Sequence, residues 1–259
     1  ASLGTIGGGQ RLRGLTRPTP TTTVFGLTDT NGLVRVPLAD PSMTTAAIQI
    51  TGLTAGDDLL GLDVRPSTGA LHVIGALGGV YTVDPATGAA TRLSTLSADP
   101  TDLTAPYTGL TGTNHGVDFN PTGAVALRVV SDAEQNLRVP NVATGATFTD
   151  TALARAPRTY TLTAAAYANN LPGATSTTLY ALDATGDRLV AVNTPNSGTV
   201  RELGPVGLNV EADSLFEIVG PGTAVAVLDG GGTRTLVNID LATGAGTAVG
   251  TIATAGTLV

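Results

Sequence analysis

Short apolar runs, broken at close intervals by Gly, Pro, Asn and Asp, cover the chain, and no stretch sustains a 3.6-residue period. Runs such as Leu71-His72-Val73-Ile74 and Ala224-Val225-Ala226-Val227-Leu228 therefore read as strands separated by turns. One strand ending in a turn recurs. It stands as Leu12-Arg13-Gly14-Leu15-Thr16-Arg17-Pro18, as Leu60-Gly61-Leu62-Asp63-Val64-Arg65-Pro66, and as Gly116-Val117-Asp118-Phe119-Asn120-Pro121. Weaker copies are Ala164-Ala165-Ala166-Tyr167-Ala168-Asn169 and Leu215-Phe216-Glu217-Ile218-Val219-Gly220. The copies lie about 47 to 55 residues apart, the spacing of four-stranded propeller blades.

Each unit divides into four strands. The second predicts strands at 60–64, 70–76, 79–83 and 90–96, the last two joined by Asp84-Pro85-Ala86-Thr87-Gly88. In such a turn Asp bonds the local backbone and Gly takes the positive-φ position. Related turns stand at 141–145, 183–186 and 240–244. The first unit predicts strands at 10–16, 22–27, 32–37 and 46–50; the third at 116–120, 124–130, 136–141 and 147–153. The fourth gives 162–168, 177–182, 187–193 and 199–205, and the fifth 214–219, 223–228, 235–240 and 246–252. The expected fold is all-β, a single β-propeller of about five four-stranded blades over 10–252, with an N-terminal strand and Gly-rich joint at 1–9 and a tail at 253–259. Residues 97–114 exceed what a blade junction needs and read as an irregular excursion, or as a sixth blade.

Composition narrows the function classes. The 259 residues include 34 Gly and 15 Pro, only 13% are charged, and every one of the 13 basic residues is Arg. A net charge of −7 without a basic stripe, and 3% aromatic residues, disfavour nucleic acid as a partner. With no Cys there is neither a disulfide framework nor a thiolate metal site. No apolar run is long enough to span a membrane as a helix. Opening on Ala1-Ser2-Leu3, the chain reads as a mature, exported product acting outside the cell or at its surface.

Candidate chemistry is thin. His72 alternates with apolar residues and reads as a half-buried or surface strand histidine, whereas His115, beside Asn114 and close to Asp118, is the better site candidate. Asp63, Asp118 and Glu217 hold equivalent repeat positions, either fixing turns at strand ends or lining a central channel where a cation or polyol binds. Asn120, Asn136, Asn169 and Asn170 read as turn residues or as polar ligand contacts. The residues nominated for a ligand are Asp118, Asn120, Asn169 and Asn170. Gly230-Gly231-Gly232 reads as a loop tip, since without Lys no phosphate-binding Gly-Lys-Ser/Thr loop exists. No Gly-x-Ser-x-Gly elbow and no calcium-loop spacing occur, so no catalytic residue, cofactor or metal is expected.

The blocks at 116–121, Leu127-Arg128-Val129-Val130-Ser131-Asp132 and Gln135-Asn136-Leu137-Arg138 resemble the core signature of the DUF4394 family. Ala165-Ala166-Tyr167-Ala168-Asn169-Asn170, Gly173-Ala174-Thr175, Thr178-Leu179-Tyr180, Pro195-Asn196-x-Gly198 and Asn238-Ile239-Asp240-Leu241-Ala242-Thr243-Gly244 extend the resemblance over about 24–252. It implies a bacterial, commonly exported, propeller-like domain and no particular reaction. One departure stands out. A Gly-Thr-Ile strand occurs at both ends, as Gly4-Thr5-Ile6 and as Gly250-Thr251-Ile252, where a closed ring of five units needs one.

Two readings follow. Ser2, Leu3, Gly4, Thr5 and Ile6 complete the blade that carries Thr247, Ala248, Val249, Gly250, Thr251 and Ile252, or they swing out on Gly7, Gly8 and Gly9 to add to a neighbour's blade. Repeated head to tail, exchange builds a filament or layer. The leading expectation is thus a non-catalytic extracellular structural or interaction propeller whose partner is itself. The alternative is a monomeric module binding a sugar, peptide or cation at the channel mouth.

Overall fold

A computed structural model describes residues 5–6, 12–16, 22–154, 158–220 and 222–254. The first strand, β1 (Thr5–Ile6), precedes the first blade, which is made of β2 (Leu12–Thr16), β3 (Thr23–Thr28), β4 (Gly32–Pro37) and β5 (Ile48–Gln49). Blade 2 holds β6 (Leu59–Val64), β7 (Leu71–Gly75), β8 (Gly79–Val83) and β9 (Ala90–Thr95). After the short β10 (Ser97–Ala98), blade 3 runs through β11 (His115–Phe119), β12 (Leu127–Ser131), β13 (Asn136–Val139) and β14 (Ala146–Thr149). Blade 4 is β15 (Leu162–Tyr167), β16 (Leu179–Asp183), β17 (Arg188–Thr194) and β18 (Thr199–Pro205); blade 5 is β19 (Leu215–Gly220), β20 (Thr223–Asp229), β21 (Arg234–Asp240) and β22 (Gly246–Thr254).

The five sheets are antiparallel meanders, arranged as a five-bladed propeller with β2, β6, β11, β15 and β19 innermost and in contact around the axis. Two edge strands add to this plan in parallel, β10 on β14 and β1 on β22. The excursion after blade 2 therefore begins as a fifth strand of blade 3, and it forms no sixth blade among the described residues. The predicted 46–50 strand shortens to β5, and a 3-10 turn at Pro41–Met43, capped by Asp40, precedes it. At the other end β22 runs through Thr254, so the first two residues assigned to a tail belong to the last strand.

The strand at the N-terminus pairs with its own chain. Thr5 stands opposite Ala253 and Ile6 opposite Thr254, just beyond the expected accepting segment. Ser2, Leu3, Gly4 and the Gly7, Gly8, Gly9 joint lie outside the described residues.

No single core occupies the middle. Apolar side chains gather in five layers, one between each pair of adjacent blades. Phe25, Leu27 and Leu33 of blade 1 meet Leu62, Val73 and Tyr81 of blade 2. The ring closes the same way: Val24, Val34 and Val36 of blade 1 pack on Leu215, Val227 and Leu236 of blade 5. Burying apolar faces against the next blade provides the dominant stabilisation.

The outer ends of the blades are joined by the repeated turn. Gly88, Gly145, Gly198 and Gly244 close the connections between third and fourth strands, at φ +76°, +71°, +68° and +84°. A Cβ on them would lie 2.4 Å from Gln49 O, 2.1 Å from Thr95 O, 2.1 Å from Ala152 O and 2.5 Å from Gly204 O, all backbone of the preceding blade. At three of these joints the glycine carbonyl also accepts an N–H from that blade's outgoing chain: Thr51 to Gly88 at 3.0 Å, Ser97 to Gly145 at 2.9 Å and Ala154 to Gly198 at 3.0 Å. The 183–186 turn departs from its sequence likeness. It joins β16 to β17, and blade 4 instead fills the joint with the 3-10 turn Pro195–Ser197 and Gly198.

Gly145→Ala and Gly69→Ala separate the two demands on such a glycine. Gly69 has nearly the same φ, +69°, but nothing within 4 Å of its would-be Cβ. Gly69→Ala should cost about 1 kcal/mol from backbone strain alone, and Gly145→Ala clearly more, because Thr95 must move. Urea unfolding of both variants reads the difference, and equal losses would show that the joint has no rigid contact.

Candidate functional site

The inner strands bring three acids of the repeat to the axis. Asp63 on β6, Asp118 on β11 and Glu217 on β19 are each at most 2% exposed, and one carboxylate oxygen from each lies within 4.8 Å of the others. They stand inside strands and not at turns, which corrects the turn-fixing expectation. Asp63 Oδ2 accepts the Phe119 N–H of the next inner strand at 2.7 Å, and its Oδ1 accepts the Val64 N–H at 2.6 Å. Asp118 Oδ1 accepts the Tyr167 N–H of β15 at 3.2 Å. Each aspartate thus fastens its blade to the next at the centre. Ala166, directly before Tyr167, takes the corresponding place in blade 4 and breaks the acidic ring there.

Charge cannot accumulate freely in such a site. Burial first, then the negative charges of Asp63 and Glu217, push the Asp118 carboxyl well above the usual carboxylate range, against the pull of the Tyr167 N–H. Three carboxylate oxygens are the donor set of a hard cation. A shared proton meets the same electrostatic need.

The other nominated residues go elsewhere. Asn120 Oδ1 accepts from the N–H and the hydroxyl of Thr122, at 2.9 and 2.7 Å, and shapes the β11–β12 turn. Asn169, at φ +54°, donates to Ser176 O at 3.1 Å and lines a cleft between blades 4 and 5. Asn170 stands next to it, its Oδ1 buried without a hydrogen-bond partner among the described residues. Asp118 and these asparagines therefore form no common site.

Both histidines are buried. His72 is 4% exposed, packs edge-on against Phe119 at 4.9 Å between ring centroids, and lies by its Nδ1 3.0 Å from Ala70 O, so the half-buried or surface expectation gives way to a core role. Burial lowers its pKa most, with the Ala70 bond opposing. His115 is 8% exposed; burial lowers its pKa, and the charge of Asp132 opposes that shift.

Sequence reasoning missed the densest polar network. Arg128, cross-strand from Asp118 and 3% exposed, reaches Tyr167 Oη at 3.3 Å, Asn136 Oδ1 at 2.8 Å, Asp150 Oδ2 at 2.7 Å and Asn196 Oδ1 at 2.7 Å. Asn136 donates onward to Thr151 O and Pro195 O, and Arg138 gives Asp150 a second cation at 3.0 Å. The network ties blade 3 to β15 and to the β17–β18 connection of blade 4. Its signal was a lone Arg in the apolar run Leu127-Arg128-Val129-Val130.

Arg128, Asn136, Tyr167 and Asn196, far apart in the sequence, thus meet in space. The family model described as "Domain of unknown function (DUF4394)" matches residues 32–259. The chain belongs to the DUF4394 family. No curated protein matches the sequence. Among solved structures, this DUF4394 chain is similar to one in the "Crystal structure of Nidogen/Laminin Complex", at 12% identity and a TM-score of 0.55, covering 95% of this chain and 81% of that one. It is also similar to a structural genomics protein of unknown function from Bacteroides thetaiotaomicron VPI-5482, at 17% identity and a TM-score of 0.55, covering 96% of this chain and 58% of that one. At these identities the likeness shows the propeller fold alone. Among the described residues no helix of the DUF4394 chain is long and apolar enough to cross a membrane.

Two variants test the assignments. Replacing Arg128 by Met should cost about 3 kcal/mol in urea unfolding, the usual scale for breaking a buried ionic network; a loss near zero would remove its bridging role. For Asp118 the sign follows from its raised pKa. An unfolded aspartate titrates near about 3.9, so above that pH the folded chain keeps a proton that the unfolded chain has lost. Stability should fall as pH rises from there through the raised folded value. Asp118→Asn, which keeps an acceptor for the Tyr167 N–H, should flatten this fall. It should exceed the parent in stability at about pH 8 and converge with it towards about pH 4. Parallel curves across that range would contradict the axial charge strain.

Proposed function

We propose that this protein is a non-catalytic extracellular binding module, a monomeric ring that holds a ligand at its faces. The observation that carries this reading is the in-chain pairing of β1 with β22. The edge strand that would tie one molecule to the next is engaged on its own last blade, and an apolar layer between blades 1 and 5 also closes the ring. Support for a non-catalytic role comes from the use made of the polar groups. Asp63 and Asp118 accept backbone N–H groups of neighbouring strands, and Arg128 is satisfied by side chains of two blades. The low share of charged residues and the abundance of Gly and Thr fit a place outside the cell.

Light scattering on the full chain tests the monomer. The expected mass is that of one chain, 25.7 kDa, at every accessible concentration. A mass that climbs with concentration, and returns to one chain when residues 1–8 are deleted, would overturn the proposal in favour of head-to-tail strand addition.

A further inference from the structure

We infer that the cleft between blades 4 and 5 binds a neutral saccharide unit, an inference that rests on the binding-module reading and gives it a site. The cleft exists because neighbouring loops differ in length. Residues 168–178 join β15 to β16, whereas only residues 221–222 join β19 to β20. Residues of the longer loop and Gly222 both line the cleft. The resulting space is about 440 Å³, within the range of small-ligand sites, roughly 300 to 1,000 Å³.

The lining decides the ligand class. Asn169, Ser176 and Thr178 provide amide and hydroxyl groups from one side, and Asp240 a carboxylate from the other. Asp240 Oδ1 accepts the Ala242 N–H at 2.7 Å, and no described residue bonds its Oδ2. Tyr180 and Leu241 add an aromatic ring and an aliphatic wall, both packed against the core layer of blades 4 and 5. A sugar ring is amphipathic in the same way, with hydroxyls for the polar groups and C–H faces for the ring and the aliphatic wall. Among the described residues no Arg lines the cleft, so an anionic ligand meets a carboxylate without a compensating cation.

The site also suits retention over cleavage. Glycoside hydrolysis by the usual route needs a pair of carboxyl groups flanking the bond, and among the described residues this lining holds one, Asp240.

The test uses the full ¹⁵N-labelled chain titrated with glucose, galactose, xylose, N-acetylglucosamine and glucuronate up to tens of millimolar, read by amide chemical shifts. At least one neutral sugar should shift the amides of Asn169, Thr178 and Asp240 in a saturable way, and glucuronate should bind more weakly than glucose. Asn169→Gly suits the positive φ and Asp240→Asn keeps an acceptor for Ala242, so both should fold. Each should weaken the neutral sugar at least tenfold, and Asp240→Asn should also narrow the gap to glucuronate. Shifts confined to another face, variants that bind like the parent, or no saturable shift with any sugar would each overturn the inference. None of these outcomes changes the oligomeric mass, so the monomeric ring stands or falls separately by light scattering.

Discussion

The contact on which the ring depends is the approach of one blade's turn to the backbone leaving the blade before it. Gly145 shows why only glycine serves. Its φ of +71° lies in the left-handed region, and a side chain would meet Thr95 O at 2.1 Å. The same N–H to carbonyl bond recurs at Gly88 and Gly198, so blades 2, 3 and 4 are each held at their outer edge by the blade that precedes them. With the outer edges pinned, the apolar faces must lie flat against one another. Five thin layers of Val, Leu and Ala then do the work that one large core does elsewhere. This is how a chain with few aromatic residues builds a ring of this size.

At the axis the geometry turns unfavourable for charge. The inner strands come close enough that a Cβ on Gly116 would lie 2.5 Å from Ala165 N. That closeness lets an aspartate of one blade accept an N–H of the next, and it also crowds Asp63, Asp118 and Glu217. Attraction to the backbone and repulsion among carboxylates oppose each other there, and the repulsion, added to burial, raises the Asp118 pKa. The axis is thus crowded with carboxylates, whereas the cleft lies off it, between two blades whose loops differ in length.

The family blocks gain a physical meaning from the same view. Arg128, Asn136, Tyr167 and Asn196 are far apart in sequence, and they meet because blade 3 packs on blade 4. A buried guanidinium needs most of its N–H groups satisfied, so its partners share one geometric requirement. In this chain the four residues therefore dock blade 3 on blade 4. The equivalence of Asp63, Asp118 and Glu217 was legible because each repeat places them at the same strand position. The roles of Asn120 and Asn169 were not, since a local turn and a cleft wall ask for the same residue type.

Local pattern alone determined the five meanders, most of their strands, and the positive-φ glycine of the repeated turn, because alternation and turn chemistry act over a few residues. It also read 183–186 as one more copy of that turn, because the residues are alike. Only the tertiary structure decided that the copy belongs to a different hairpin and that Pro195–Ser197 with Gly198 fills the joint. The pairing of Thr5 and Ile6 with Ala253 and Thr254 was undecided in the same way. A two-residue strand carries no side-chain code for its partner, and main-chain hydrogen bonds form with whichever edge the closed ring brings within reach.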